Sequence, residues 1–263
     1  MPAPDTLLLK ILLVPALIAA VTIVGRRYGQ GIGGWLGSFP IVAGPVLFIL
    51  ALENGVTFGA ESAEAALLAV APAMVFYVVY ARLALRASWP FAAAVAVVIW
   101  FVVTAMLAAF DLRLALVLLV VVAALWWSGH ALSPQRIASG QAAPAALTPH
   151  RLELPARMLT GAAVTLVTSE LGKQGGAELG GYASLFPSIG LVVASFNHAQ
   201  AGPLAAIHFL RGMTRGMWSV ASFCLALVFG LPAFGLSAGF LLAVSVAVAT
   251  HASTRPRRAA CES

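Results

Sequence analysis

Two stretches of this chain could hold a ligand without using a charged side chain. Gly33-Gly34-Trp35-Leu36-Gly37-Ser38-Phe39-Pro40 recurs as Gly180-Gly181-Tyr182-Ala183-Ser184-Leu185-Phe186-Pro187, an offset of 147 residues from Pro40 to Pro187. Proline has no N–H and a locked φ, so it suits the first turn of a helix. The glycines before it favour irregular backbone. A helix that starts within a membrane and faces a cavity presents free N–H groups and the positive end of its dipole. Ser38, Phe39, Pro40, Phe186, Pro187 and Ser188 are therefore the expected substrate-binding residues of a central site for a polar or anionic solute. The competing reading makes Gly-Gly-aromatic a loop with close helix packing, and the proline a plain helix start.

Other residues with chemical potential lie at segment ends. Asn197 and His198 fall late in an apolar run, where polar groups are costly and often functional; the alternative is a solvated end beside Gln200. Glu170 closes a run containing Thr160, Thr165, Thr168 and Ser169, which reads either as a polar path with a titrating gate or as threonines satisfied by their own helix. His208, Arg211 and Arg215 follow spacings of three and four and share one helical face. They read as a lipid- or phosphate-binding face or as an interfacial belt with snorkelling side chains. No HExxH, Gly-rich phosphate loop, nucleophile elbow or pair of intramembrane aspartates occurs, so neither an enzyme nor a cofactor is expected. Cys224 lies in an apolar run and Cys261 near the C-terminus; neither suggests a disulfide framework or a metal site.

The elements that carry these residues must be membrane helices. Of 263 residues, 61% are hydrophobic and only 9% charged, against about a quarter charged in soluble domains. Apolar runs of about twenty residues, the length that spans a bilayer, recur throughout, and a barrel of short alternating strands is excluded. Nine segments are expected, at about 6–25, 35–53, 61–82, 90–109, 112–128, 155–171, 183–200, 204–230 and 235–251. No basic residue precedes the first run, so a cleaved signal peptide is not expected. Residues 129–153, rich in Pro, Gly and Ser, read as a polar linker. With loops placed alternately on two sides, twelve of the fifteen Lys and Arg residues fall on one side and three on the other. By the positive-inside rule the N-terminus lies outside and the C-terminus in the cytoplasm. The net charge of +6 thus belongs to membrane orientation, not to nucleic acid.

Shifting the chain by 147 aligns Gly25 with Gly172, Gly55 with Gly202, Phe76 with Phe223 and Lys10 with Arg157, with no gap over about 75 residues. The fifth segment has no counterpart. The expected architecture is all-α: a four-segment repeat over 1–110, a bridging helix over 111–128, the linker, a second repeat over 154–253 and a tail over 254–263. An odd bridge makes the second repeat enter from the opposite side, as in inverted-repeat transporters. The charges at equivalent positions change accordingly, with Glu61 against His208, Glu64 against Arg211 and Leu68 against Arg215. The two Phe-Pro helix starts should then point in opposite directions along the membrane normal.

Residues 155–251 resemble the GlpM family of small bacterial inner-membrane proteins. Gly181-Tyr182-Ala183-Ser184-Leu185-Phe186-Pro187, Ala201-Gly202 and Arg211-Gly212-Met213-Thr214-Arg215-Gly216-Met217-Trp218-Ser219 carry the resemblance. The first half keeps Gly-Gly-Trp and Phe-Pro but lacks Gly-Met-Trp-Ser. The resemblance implies a bacterial inner-membrane location and links to glycerol-phosphate gene neighbourhoods and exopolysaccharide production; it supplies no catalytic residues. Two functions follow as expectations. One is a transporter of a small polar or anionic metabolite. The other is a non-enzymatic accessory protein for envelope polysaccharide or lipid assembly, with an assembly partner or lipid at Arg211 and Arg215.

Overall fold

A chain this apolar can satisfy its backbone inside a bilayer only by bonding it within each segment, which means helices. The computed structural model describes residues 4–110, 112–133, 152–173 and 176–255, with backbone only for 4–12 and 168–173. Among the described residues every regular element is a helix: α1 (Pro4–Tyr28), α2 (Gln30–Gly37), α3 (Ala43–Asn54), α4 (Val56–Ala84), α5 (Trp89–Ala108), α6 (Leu114–Ala131), α7 (Glu153–Lys173), α8 (Gly176–Ser184), α9 (Ser188–Ala201) and α10 (Pro203–Ser253). Val56–Ala84, Trp89–Ala108, Leu114–Ala131, Gly176–Ala201 and Pro203–Ser253 are long and apolar enough to cross a membrane. Helix α10 has two arms, because Gly235 takes φ 74° and ψ −174° within its 51 residues.

Burial separates the centre from the periphery. The most apolar stretch of α4 is 78% buried, whereas that of α5 is 22% and that of α6 is 28%. Val98, Phe101, Leu116 and Leu119 on those outer helices are exposed. A hydrocarbon solvent accepts such a surface and water does not, so the architecture is compatible with a membrane-embedded helical protein.

The second and seventh expected segments are corrected: each is two helices with a break between them. Gly33 and Gly34 lie inside α2, and Gly180 and Gly181 inside α8. The glycines therefore permit close helix contact, and the expected irregular backbone falls after them, at the Phe-Pro pairs. There Ile41 N–H donates to the Phe39 carbonyl at 2.7 Å, and Ser188 N–H donates to the Phe186 carbonyl at 2.7 Å. These are inverse γ-turns around proline, whose locked φ suits them; Pro187 has φ −75° and ψ 51°. Gly44 N–H then bonds the Pro40 carbonyl at 2.8 Å and Leu191 N–H the Pro187 carbonyl at 2.7 Å, so a helix begins after each turn. The expected 129–153 linker is also trimmed, since Gly129–Ala131 continues α6 and Glu153 opens α7. Residues 134–151 lie outside the described residues.

Local structure thus recurs at the sequence offset. Gly55 joins α3 to α4 at φ 95°, and Gly202 joins α9 to α10 at φ 83°; both need the positive φ that glycine supplies. Tertiary contacts recur with the halves exchanged. A Cβ on Gly34 would overlap the Phe209 carbonyl and stand 3.0 Å from Met213 N. A Cβ on Gly181 would overlap the Ser62 carbonyl and stand 2.9 Å from Ala66 N. Positions 62 and 66 are 209 and 213 less 147. Near the start of α4, Gly59 lies against Leu231, at the far end of the first arm of α10, so the two long helices run antiparallel.

These crossings leave no space for a methyl group, because the obstacle is backbone. Gly34→Ala and Gly181→Ala should each destabilise the purified protein by about 1–3 kcal/mol. Gly129→Ala, with nothing within 4 Å, should be neutral or mildly stabilising. Denaturant unfolding in detergent measures all three.

Candidate functional site

The two breaks meet. Residues 37–40 and 184–190, with Val42, Ala43, Tyr77 from α4, and Met213, Met217 and Val220 from α10, line one cavity of about 60 Å³. All six residues expected at the Phe-Pro starts (Ser38, Phe39, Pro40, Phe186, Pro187 and Ser188) are in this lining. No Asp, Glu, Lys, Arg or His belongs to it. The polar groups on offer are serine hydroxyls, the Tyr77 phenol and backbone at helix ends. Val42 and Ala43, and 147 residues later Ile189 and Gly190, precede the first residue whose N–H bonds back across the turn. Their four N–H groups are the unpaired donors every helix start leaves.

A second polar cluster lies away from this cavity. Arg157 is completely buried, Glu153 is 4% exposed and Asn197 is completely buried. One turn apart on α7, Arg157 and Glu153 form an ion pair of 2.5 Å. The other carboxylate oxygen of Glu153 pairs with Arg26 at the end of α1. Arg157 also donates to Asn197 Oδ1 at 2.9 Å, and Asn197 Nδ2 donates to Gln30 Oε1 at 2.7 Å. With its amide nitrogen turned to the carboxylate, Gln200 donates to Glu153 Oε1 at 2.7 Å. The Arg157 guanidinium lies 5.2 Å from the centre of the Phe196 ring. The Glu153 carboxylate ties α1, α7 and α9, and Asn197 extends the cluster to Gln30 on α2. Asn197 was legible as a costly intramembrane polar group. Arg157 was read as a sidedness charge and as the repeat equivalent of Lys10, and Glu153 and Gln30 were missed; the Glu-Arg spacing of four at the mouth of an apolar run was the available signal.

A third group joins the Gly-Met-Trp-Ser stretch to the first break. His251 is 6% exposed; its ring stacks on Trp35 at 4.0 Å and meets the edge of Phe39 at 5.1 Å. The Ser219 hydroxyl donates to the Gly216 carbonyl at 2.7 Å, so it accepts from His251 Nδ1, 3.0 Å away. That assigns the proton to Nδ1 by bonding pattern. Nothing in the sequence pattern singled His251 out.

The remaining candidates do not converge on the cavity. His198 is half-buried with its ring 6.2 Å from Tyr80. His208 and Arg215 are exposed and Arg211 is half-buried, on the arm of α10 that packs on α2 through Gly212 and Gly31. The side chain of Glu170 lies outside the described residues. At the opposite end of α4 and α10, Glu61, Glu64 and Glu178 with Tyr182 line a larger cavity of about 540 Å³. Among the described residues no group of three His, Cys, Asp or Glu side chains is placed to hold a metal ion.

No known protein family, curated protein or solved structure matches this chain.

The ion cluster generates a stability prediction. Glu153→Gln leaves two guanidiniums facing each other without a counter-charge, one of them fully buried. It should cost about 3–5 kcal/mol. Arg27→Gln, one residue from the cluster on an exposed surface, should change stability by no more than about 0.5 kcal/mol. Unfolding midpoints in detergent distinguish the two.

Proposed function

We propose that this protein transports a small polar or anionic solute across a bacterial inner membrane, using two inverted four-segment repeats joined by α6 in a nine-span arrangement. The observation that carries this reading is the meeting of two proline-centred helix breaks, one from each half, at a single cavity. Discontinuous helices that expose half-helix ends at the interface between repeats are how many transporters bind solutes without a charged pocket. The antiparallel α4 and α10, the exchanged glycine contacts and the 147-residue recurrence of turns support inversion. With the N-terminus outside and the C-terminus cytoplasmic, the Arg26–Glu153–Arg157 cluster lies toward the cytoplasm. It ties the halves together there, while the acidic cavity lies toward the exterior. One end is fastened and the other hollow, the asymmetry expected of one state in alternating access. The resemblance of the second half to the GlpM family supports the location. The exposed His208 and Arg215 suit the second reading, an accessory role that engages lipid headgroups or an envelope-assembly partner.

Solute flux into vesicles tests the proposal. Protein-containing vesicles should take up at least one small polar or anionic solute faster than empty ones. Pro40→Ala with Pro187→Ala should lower that rate at least about tenfold, the effect of roughly 1.4 kcal/mol in the barrier. Equal flux with and without protein across a broad solute panel would contradict transport and leave the accessory role.

A further inference from the structure

We propose that His251 is a proton-binding site, and that a proton on its Nε2 releases the second arm of α10 (residues 236–253) from α2 and from the first break. The inference goes beyond the transport reading and stands whether or not a solute crosses the membrane.

The ring has one nitrogen engaged and one idle. His251 Nδ1 holds the proton that bonds Ser219, 3.0 Å away. Among the described residues Nε2 is buried and has no hydrogen-bond partner. A buried imidazole ordinarily uses both nitrogens, so Nε2 carries a spare lone pair, the place where a second proton binds. Once protonated there, Nε2 becomes a donor that meets no acceptor, and the ring becomes a cation lying flat on Trp35 at 4.0 Å. The indole face attracts such a cation but leaves the N–H unsatisfied.

No carboxylate is available to balance that charge. The ring is met by Trp35 of α2, Phe39 of the first break and Ser219 of the first arm of α10. No Asp or Glu occurs in residues 6–52 or 179–261, which removes counter-ions from nearly all of α1, from α2, and from all of α9 and α10. On α4, Glu61 and Glu64 line the cavity at the opposite end, and Glu153 of α7 is already paired with two arginines. The charged groups along the elements that meet the ring are His208, Arg211 and Arg215 on the first arm and Arg255 beyond the second. All but His208 are cations, so they add repulsion. A buried charge without a partner is costly, and the charged ring is stabilised by reaching water.

The fold supplies a hinge for that movement. Gly235 has φ 74° and ψ −174°, which divides α10 into its two arms, three residues after Pro232; such a position is where a helix swings. Near the hinge the second arm is held by backbone contact, with a Cβ on Gly239 only 2.8 Å from the Gly230 carbonyl. Its far end is held by the His251 stack and by Trp35 Nε1 donating to Thr254 Oγ1 at 3.3 Å. Releasing that end uncovers Phe39, whose other neighbours line the cavity between the breaks. Under the 147-residue offset the position of His251 is held in the first half by Thr104 on α5, which cannot titrate. The device therefore acts on one break only.

The test uses the purified full-length chain in detergent, titrated from about pH 8 to about pH 4, the range that covers most histidines. The readouts are tryptophan emission, deuterium uptake over residues 245–253 and total helix content. Emission should shift to the red in a one-proton step, uptake should rise in the same step, and helix content should hold. Trp35→Phe and His251→Gln should each abolish the emission step. His130→Gln should keep it, which separates the His251 stack from that of His130 on Trp126. Ser219→Ala, which removes the acceptor of Nδ1–H, should move the midpoint about half a pH unit toward acid, the worth of one hydrogen bond. An emission step that survives in His251→Gln or in Trp35→Phe overturns the inference, and the second variant decides if the first does not fold. So does a step that Ser219→Ala leaves in place, a step without added uptake in the second arm, a step accompanied by loss of helix, or no step at all in the native chain.

Discussion

Two places where helix backbones touch constrain everything else in this molecule. At Gly34 the short helix α2 lies on the carbonyl of Phe209, and at Gly181 the short helix α8 lies on the carbonyl of Ser62. Each contact joins a broken segment of one half to the long helix of the other. Because no side chain separates the backbones, the short helices sit deep enough to bring both proline turns into the centre. Larger residues at positions 34 and 181 would lift α2 and α8 away from α10 and α4. The cavity at the turns exists because the halves are interleaved in this way.

Inside that frame the two polar regions have opposite chemistry. The cavity has no Asp, Glu, Lys, Arg or His in its lining and offers only backbone and hydroxyl groups. The Arg26–Glu153–Arg157 cluster is densely charged, and its carboxylate is nearly saturated with donors. Breaking such a cluster costs far more than forming it returns, which makes it a poor source of net stability but a definite two-way fastening. It engages α1 and α2 on one side and α7 and α9 on the other, the same boundary that the cavity occupies. The glycine crossings set the positions of α2 and α8.

Much of this was legible in the sequence, and the failures have physical reasons. The apolar runs announced helices, and the 147-residue recurrence located the two turns, because proline and phenylalanine mark a break locally. The glycines misled. Their low helix propensity suggests loop, whereas here backbone proximity outweighs propensity, and only the partner helix reveals that. Asn197 stood out against its apolar surroundings, but its partners Arg157 and Gln30 come from other helices. Arg157 looked like one more cytoplasmic charge until its burial was known. Tyr77 and His251 gave no signal at all, since an aromatic residue or a helix-end histidine in an apolar run is ordinary core. Local chemistry could be read along the chain; what each group faces depended on how the halves cross.

The interleaving can be tested by cutting the chain between α6 and α7. Residues 1–133 and 152–263 would be produced as separate chains, alone and together, and the amount of folded material recovered from membranes measured for each. Because each half supplies the surface on which the other half's broken segment lies, neither should accumulate alone, and the two together should co-purify with one shared unfolding transition. Two halves that each purify alone, with independent cooperative unfolding, would contradict the account.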